Sequence, residues 1–204
     1  PIYWKQTQSS MLHGNLNISG KILNTGDVFD EIAATFYSSC PDTNGYILDK
    51  IQVVDDMNRF KRYQAQKDSM KNPNEKWLWH GTGVDVIAPI LANGFIREYS
   101  QVQAFGFGTY FAKNASYSFN QNSYSKPFIN SNGQSAKIIL MTRVLVGDSC
   151  TGTSGKTKPD FKSDGITMYD SLSDNPSNPS IVVLSSGSDN QAFAEFVLWF
   201  VSIR

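Results

Sequence analysis

The run Ala136–Val146 constrains this chain more than any other stretch. Ile138, Ile139, Leu140, Met141, Val144, Leu145 and Val146 follow one another almost without a polar break. A strand wetted on one side alternates apolar and polar residues, whereas one covered on both faces reads as a nearly continuous apolar run. Ala194–Ile203 reads as a further strand. Strict alternation there puts Glu195, Val197, Trp199 and Val201 on one side and Phe196, Leu198 and Phe200 on the other. Helical and extended segments do not alternate regularly and no repeat is visible, so the expected class is α+β rather than a doubly wound sheet.

Around these strands the local signals are ordinary ones. Asp27 is placed to cap a helix in which Val28, Ile32 and Phe36 recur every four residues, ending by Cys40-Pro41. Asn44-Gly45 marks a turn before a strand over Tyr46–Val54. Asp55 or Asp56 opens a second helix through Met70, with Met57, Phe60 and either Tyr63 or Gln64 on its apolar side. Lys76–Trp79 reads as a short strand, Asp85–Ala92 as a short helix closed by Asn93-Gly94, Gly108–Ala112 as a strand and Asn114–Asn120 as a helix start. Arg97–Phe105, Asn120–Gln134 and Gly147–Asn178 are loop-rich, and Ile181–Ser185 is strand-like. Tyr3 and Trp4 are candidate packing anchors in the weakly patterned start.

At 204 residues the chain is expected to be one domain spanning 1–204, excised from something longer because an apolar strand runs hard against its last residue. The formal charge is zero, with 18 basic and 18 acidic residues, so bulk charge announces neither a nucleic-acid nor a membrane surface. No apolar run approaches the roughly 20 residues that span a bilayer, and the first residues lack a signal-peptide pattern. Cys40 and Cys150 read as reduced thiols, which points to an intracellular setting, nucleus or cytoplasm. With only His13 and His80 beside them, no zinc-ligand cluster can be assembled. Gly155-Lys156-Thr157 imitates the end of a phosphate-binding loop without the required spacing.

The chemistry-bearing stretch is Lys76–Tyr124. It carries Trp79-His80-Gly81-Thr82, then the glycine-flanked FGFGTYFA, then a tyrosine-rich NASYSFN. Glycine lets backbone approach a ligand, aromatic rings offer flat surfaces, and histidine and tyrosine direct hydrogen bonds. Tyr110, Tyr117 and Tyr124 recur at intervals of seven, but Gly108-Thr109 argues against one continuous helix. Taken alone, each tyrosine suits a core position as well as a ligand platform, and a lone histidine at a strand end suits a structural role as well as a chemical one.

WHGTGVDVIAPILANGF, AFGFGTYFAKNASYSFN, KIILMTRVLVGDS, MYDSLSDNPSNPSIVV and DNQAFAEFVLWF resemble, in order and spacing, the catalytic domain of the poly(ADP-ribose) polymerase family. The resemblance is greatest to its mono-ADP-ribosyltransferase branch with macrodomains upstream, and it covers Tyr46–Phe200. It implies an ADP-ribosyltransferase fold of two facing, mostly antiparallel sheets with flanking helices. The implied activity moves one ADP-ribose from NAD, a co-substrate, to a protein side chain, Glu or Asp, with release of nicotinamide and no metal. The implied partners are protein acceptors, the chain itself among them, with no membrane. A nucleic-acid end as acceptor is compatible with the family.

By position, His80 resembles the triad histidine that holds ribose hydroxyls, and Gly81 the glycine whose backbone grips the nicotinamide amide. Tyr110 is similar to the second triad residue, Tyr117 to the tyrosine stacked on nicotinamide, and Ser118 to the serine reaching the amide oxygen. Tyr99, on the donor-site loop Arg97–Gly106, and Ala112, beside Tyr110, are expected to line the same site. Tyr169–Asp174 falls where the acceptor side begins. At the third triad position polymerising members carry glutamate; here the resemblance places Val197, which can neither take a proton nor bind a hydroxyl. Glu195, two residues earlier, is the alternative, and with it polymer-forming activity. A catalytically inactive NAD- or ADP-ribose-binding module is the other alternative.

Overall fold

The computed structural model describes residues 20–96, 104–122, 124–185 and 189–203. Tyr3, Trp4 and His13 lie outside them, as does Tyr99 with most of the loop Arg97–Gly106. The elements in order are β1 (Ile22–Leu23), α1 (Asp27–Ser39), β2 (Tyr46–Val53), α2 (Met57–Ser69), β3 (Glu75–Gly81), α3 (Val84–Asn93) and β4 (Thr109–Ala112). Then come α4 (Ala115–Phe119), β5 (Phe128–Ile129), β6 (Ser135–Leu145), β7 (Ser149–Thr151), β8 (Ser171–Ser173), β9 (Ile181–Leu184) and β10 (Ala192–Ser202).

Local chemistry sets some helix boundaries. The Asp56 carboxylate accepts the Arg59 amide and so caps α2, whereas Asp27 is the first residue of α1 and not its cap. Gly26 holds that cap position at φ 101°, a conformation that disfavours any side chain. Gly94, at φ 83°, ends α3 by returning its amide to the Ile90 carbonyl.

The two facing sheets expected from the family resemblance are not found. The strands form a single ten-stranded sheet in the order β1-β2-β10-β6-β3-β4-β9-β8-β7, with β5 paired to the start of β6. It is mixed: β7 and β8 run parallel and every other named pair antiparallel. The physical link is narrow. β3 runs along β6 from Glu75 to Gly81 but meets β4 only at Trp79 opposite Ala112. That one pairing joins what would otherwise be two separate ladders.

Helices pack on both faces of β6 and β10. On one face Ile138, Leu140, Ala194 and Val197 lie against Ile87 and Ile90 of α3. On the other, Ile139, Met141, Phe196, Leu198 and Phe200 lie against Ile32 and Phe36 of α1 and Phe119 of α4. Further along that face Phe60 and Tyr63 of α2 meet Leu145 and Phe193. Phe36 and Phe200 are wholly buried, each contributing about 1.5–3 kcal/mol through the apolar surface removed from water. Cys40 and Cys150 are free thiols and both buried. Among the described residues no helix is long and apolar enough to cross a membrane.

Candidate active site

A cavity of about 460 Å³ opens where β3 ends, bounded by α3, β4 and α4. His80, Gly81, Tyr110, Ala112, Tyr117 and Ser118, all singled out from the sequence, line it together.

Gly81 is held in place by what surrounds it. A methyl group there would sit 2.5 Å from the Ser118 carbonyl oxygen and 2.9 Å from Cβ of Tyr124. The strand end and α4 therefore approach closer than any side chain permits, and the backbone of Gly81 is left bare. Ser118 is buried, its hydroxyl donating to the Trp79 carbonyl at 3.3 Å. That bond draws α4 onto β3.

His80 has its Nδ1 2.8 Å from the Tyr110 carbonyl oxygen. A carbonyl only accepts, so Nδ1 carries the proton and, in the neutral ring, Nε2 is left as an acceptor. Burial lowers the proton affinity of the ring below the usual histidine range, and the bond to Tyr110 opposes this more weakly. The ring edges are fixed by Phe95 and Phe111, with centroids 5.1 and 5.5 Å away.

The Tyr110 hydroxyl donates to the Gly106 carbonyl at 2.6 Å and accepts the Phe105 amide at 3.0 Å. It thereby ties the loop end at Phe105 and Gly106 to the cavity wall. Tyr117 and Tyr124 stack with centroids 5.5 Å apart and planes 26° apart, their hydroxyls 3.5 Å from each other. Burial first, and then the neighbouring Tyr124, raises the Tyr117 hydroxyl to about 12. Tyr124 lines the cavity as well, although the sequence alone gives it no role of its own. Its interval of seven from Tyr117 was the available signal, but only the fold brings the two rings face to face.

Val197 is not at the cavity surface. It is wholly buried and pairs with Leu140, which in turn pairs with His80, so the three form one row across β10, β6 and β3 beneath α3. Glu195 departs from the alternation expected for this strand. The register against β6 passes from Ala194↔Thr142 directly to Phe196↔Met141, leaving Glu195 as the extra residue of a bulge. Its carboxylate, nearly fully buried, takes the guanidinium of Arg143. Arg143 lies over the Trp77 ring at 4.3 Å and 3.9 Å from Glu75, which also accepts from Tyr63 (2.6 Å) and Lys67 (2.7 Å). Arg143 alternates with Leu140 and Thr142 along β6, so this cluster belongs to the sheet face away from Val197.

Among the described residues no carboxylate borders the cavity, and Lys126 is the one charged side chain among them that lines it. Groups of three or more potential metal ligands are likewise absent among them.

A family profile described as "Poly(ADP-ribose) polymerase catalytic domain" matches residues 27–197. The chain belongs to the poly(ADP-ribose) polymerase catalytic domain family. Its relatives include Protein mono-ADP-ribosyltransferase PARP14 of Homo sapiens, 31% identical over 98% of this chain and 11% of that protein. Protein mono-ADP-ribosyltransferase PARP11 of Mus musculus is 27% identical over 98% of the chain and 64% of its own length. The chain thus spans less than two thirds of the length of either relative. The fold agrees with a solved structure, "Crystal structure of the PARP domain of Arabidopsis RADICAL-INDUCED CELL DEATH1", at a TM-score of 0.67 and 16% identity over 86% of this chain and 98% of that one.

Proposed function

We propose that this chain transfers a single ADP-ribose from NAD to a carboxylate side chain of a protein, its own included, and releases nicotinamide. The observation that carries this reading is the end of the cavity lined by Gly81. There bare backbone stands beside the Tyr117–Tyr124 ring pair, with the neutral His80 next to it. A flat amide-bearing ring suits such surroundings, stacked on an aromatic face with its amide held by the Gly81 main chain. His80 Nε2, a fixed acceptor, suits a ribose hydroxyl. That PARP14 and PARP11 are named mono-ADP-ribosyltransferases supports the same direction.

The step requires the bond between the nicotinamide nitrogen and ribose C1′ to break, with its electron pair moving to the cationic ring. The departing nicotinamide is then neutral and needs no strong acid. An acceptor carboxylate oxygen bonds to C1′ and has no proton to lose, so no general base is called for. What the protein supplies is orientation. The absence of a carboxylate among the described lining residues agrees with that requirement. Its capture by Arg143 on the other sheet face weighs against Glu195 as a polymerising glutamate.

The same absence favours one second reading, a module that binds NAD or ADP-ribose without transfer. Incubation with labelled NAD followed by mass spectrometry separates them. Adducts of one ADP-ribose on Asp or Glu support transfer, whereas binding with unmodified protein supports the module. Chains of ADP-ribose that vanish in Glu195→Gln but persist in Val197→Ala would overturn the single-unit assignment.

A further inference from the structure

α4 forms the wall of the cavity that carries Tyr117 and Ser118, yet it is only five residues long. A helix this short does not hold itself together in water, because nucleation costs more than one turn of hydrogen bonds returns. Its end groups also lack intrahelical partners. The Ala115 amide at its start donates to the Ser39 hydroxyl of α1 at 3.0 Å. The Phe119 carbonyl at its end accepts from the Lys137 ammonium of β6 at 3.0 Å.

Lys137 is an unusual occupant of its position. It is 2% exposed, and no carboxylate pairs with it among the described residues. Its charge rests on the Phe119 carbonyl and on the faces of the Tyr46 and Phe119 rings, 5.3 and 5.0 Å away. Burying an ammonium is costly unless its hydrogen bonds are met. A leucine or methionine would fill this core site without that cost, so the charge serves the carbonyl it meets. The negative end of a helix favours a cation there.

We infer that Ser39 and Lys137 are positioning residues that clamp α4 at its two ends and so set the ring plane of Tyr117 against Gly81. Neither residue lines the cavity. This rests on the NAD reading above and adds to it that the nicotinamide end of the site is tuned from outside.

The test uses the unsubstituted chain, Ser39→Ala, Lys137→Met and Lys137→Arg, with benzamide as a probe of the ring slot and ADP-ribose as a probe of the remainder. Affinities are read by calorimetry, alongside KM and kcat for nicotinamide release. Benzamide affinity should fall about fivefold to tenfold in Ser39→Ala and in Lys137→Met, the loss expected for one hydrogen bond. ADP-ribose affinity should stay within about twofold. KM should rise more than kcat falls, and Lys137→Arg should restore part of the benzamide affinity. Should Lys137→Met fail to fold, Ser39→Ala decides alone. Equal weakening of both probes, or no change in either, would overturn the clamp. If the unsubstituted chain binds neither probe, the NAD reading fails and the clamp with it.

Discussion

The Nδ1 atom of His80 is bound to the main-chain carbonyl of Tyr110, 2.8 Å away and thirty residues later in the chain. One residue expected at the site thus fixes the tautomer of another, and burial keeps the ring neutral. Transfer should therefore be insensitive to pH through the ordinary histidine range around 6.5 and fall only below it. A log(kcat/KM) profile with its acid limb at or above 6.5 would contradict this. Stability follows the same sign. The unfolded chain binds a proton more readily than the native one between the lowered value and 6.5, so stability rises with pH across that window. His80→Ala should reduce transfer far more than it reduces melting temperature.

Gly81→Ala tests the slot directly. The added methyl would meet the Ser118 carbonyl at 2.5 Å, and because that atom is backbone of α4, relief requires the wall itself to move. Overpacking of this kind costs about 1–3 kcal/mol. Nicotinamide release should drop to near background while thermal unfolding remains cooperative. Retention of full activity would show that the close approach is not needed.

Tyr110→Phe removes one hydroxyl but leaves two backbone groups, the Phe105 amide and the Gly106 carbonyl, without it. Each unmet buried group costs about 1–3 kcal/mol, less where water can enter. The loop end should loosen, raising KM for NAD more than it lowers kcat. A fall in kcat alone would instead place the hydroxyl on the reacting sugar.

Much of this was legible in the chain because it depends on near neighbours. The Asp56 cap of α2, the glycine at the end of α3 and the buried run in β6 follow from local chemistry, and the structure places them within a residue or two of expectation. The clustering of His80, Gly81, Tyr110, Ala112, Tyr117 and Ser118 was legible through family resemblance. What was not legible depends on distant pairing. Whether the strands make one sheet or two turns on a single pair, Trp79 with Ala112, which no local pattern announces. Alternation along β10 placed Glu195 beside Val197. A bulge supported by Arg143, fifty-two residues away, takes it to the other face.

That bulge supports a last prediction. The buried Glu195 carboxylate is paired with Arg143, whose guanidinium also faces Glu75. Arg143→Met leaves the Glu195 charge without its cation, a loss worth about 3–5 kcal/mol when a buried pair is broken from one side. Glu195→Gln should cost less, since the neutral amide can still accept from the guanidinium. The double variant Arg143→Met/Glu195→Leu should recover most of the stability, because two apolar residues of similar volume carry no desolvation penalty. Urea midpoints of the four proteins test this order of stabilities. If the pair acts only through the fold, all of them that remain folded should still attach single ADP-ribose units. A variant at Glu195 that keeps its stability but loses transfer would instead put that carboxylate in the chemistry.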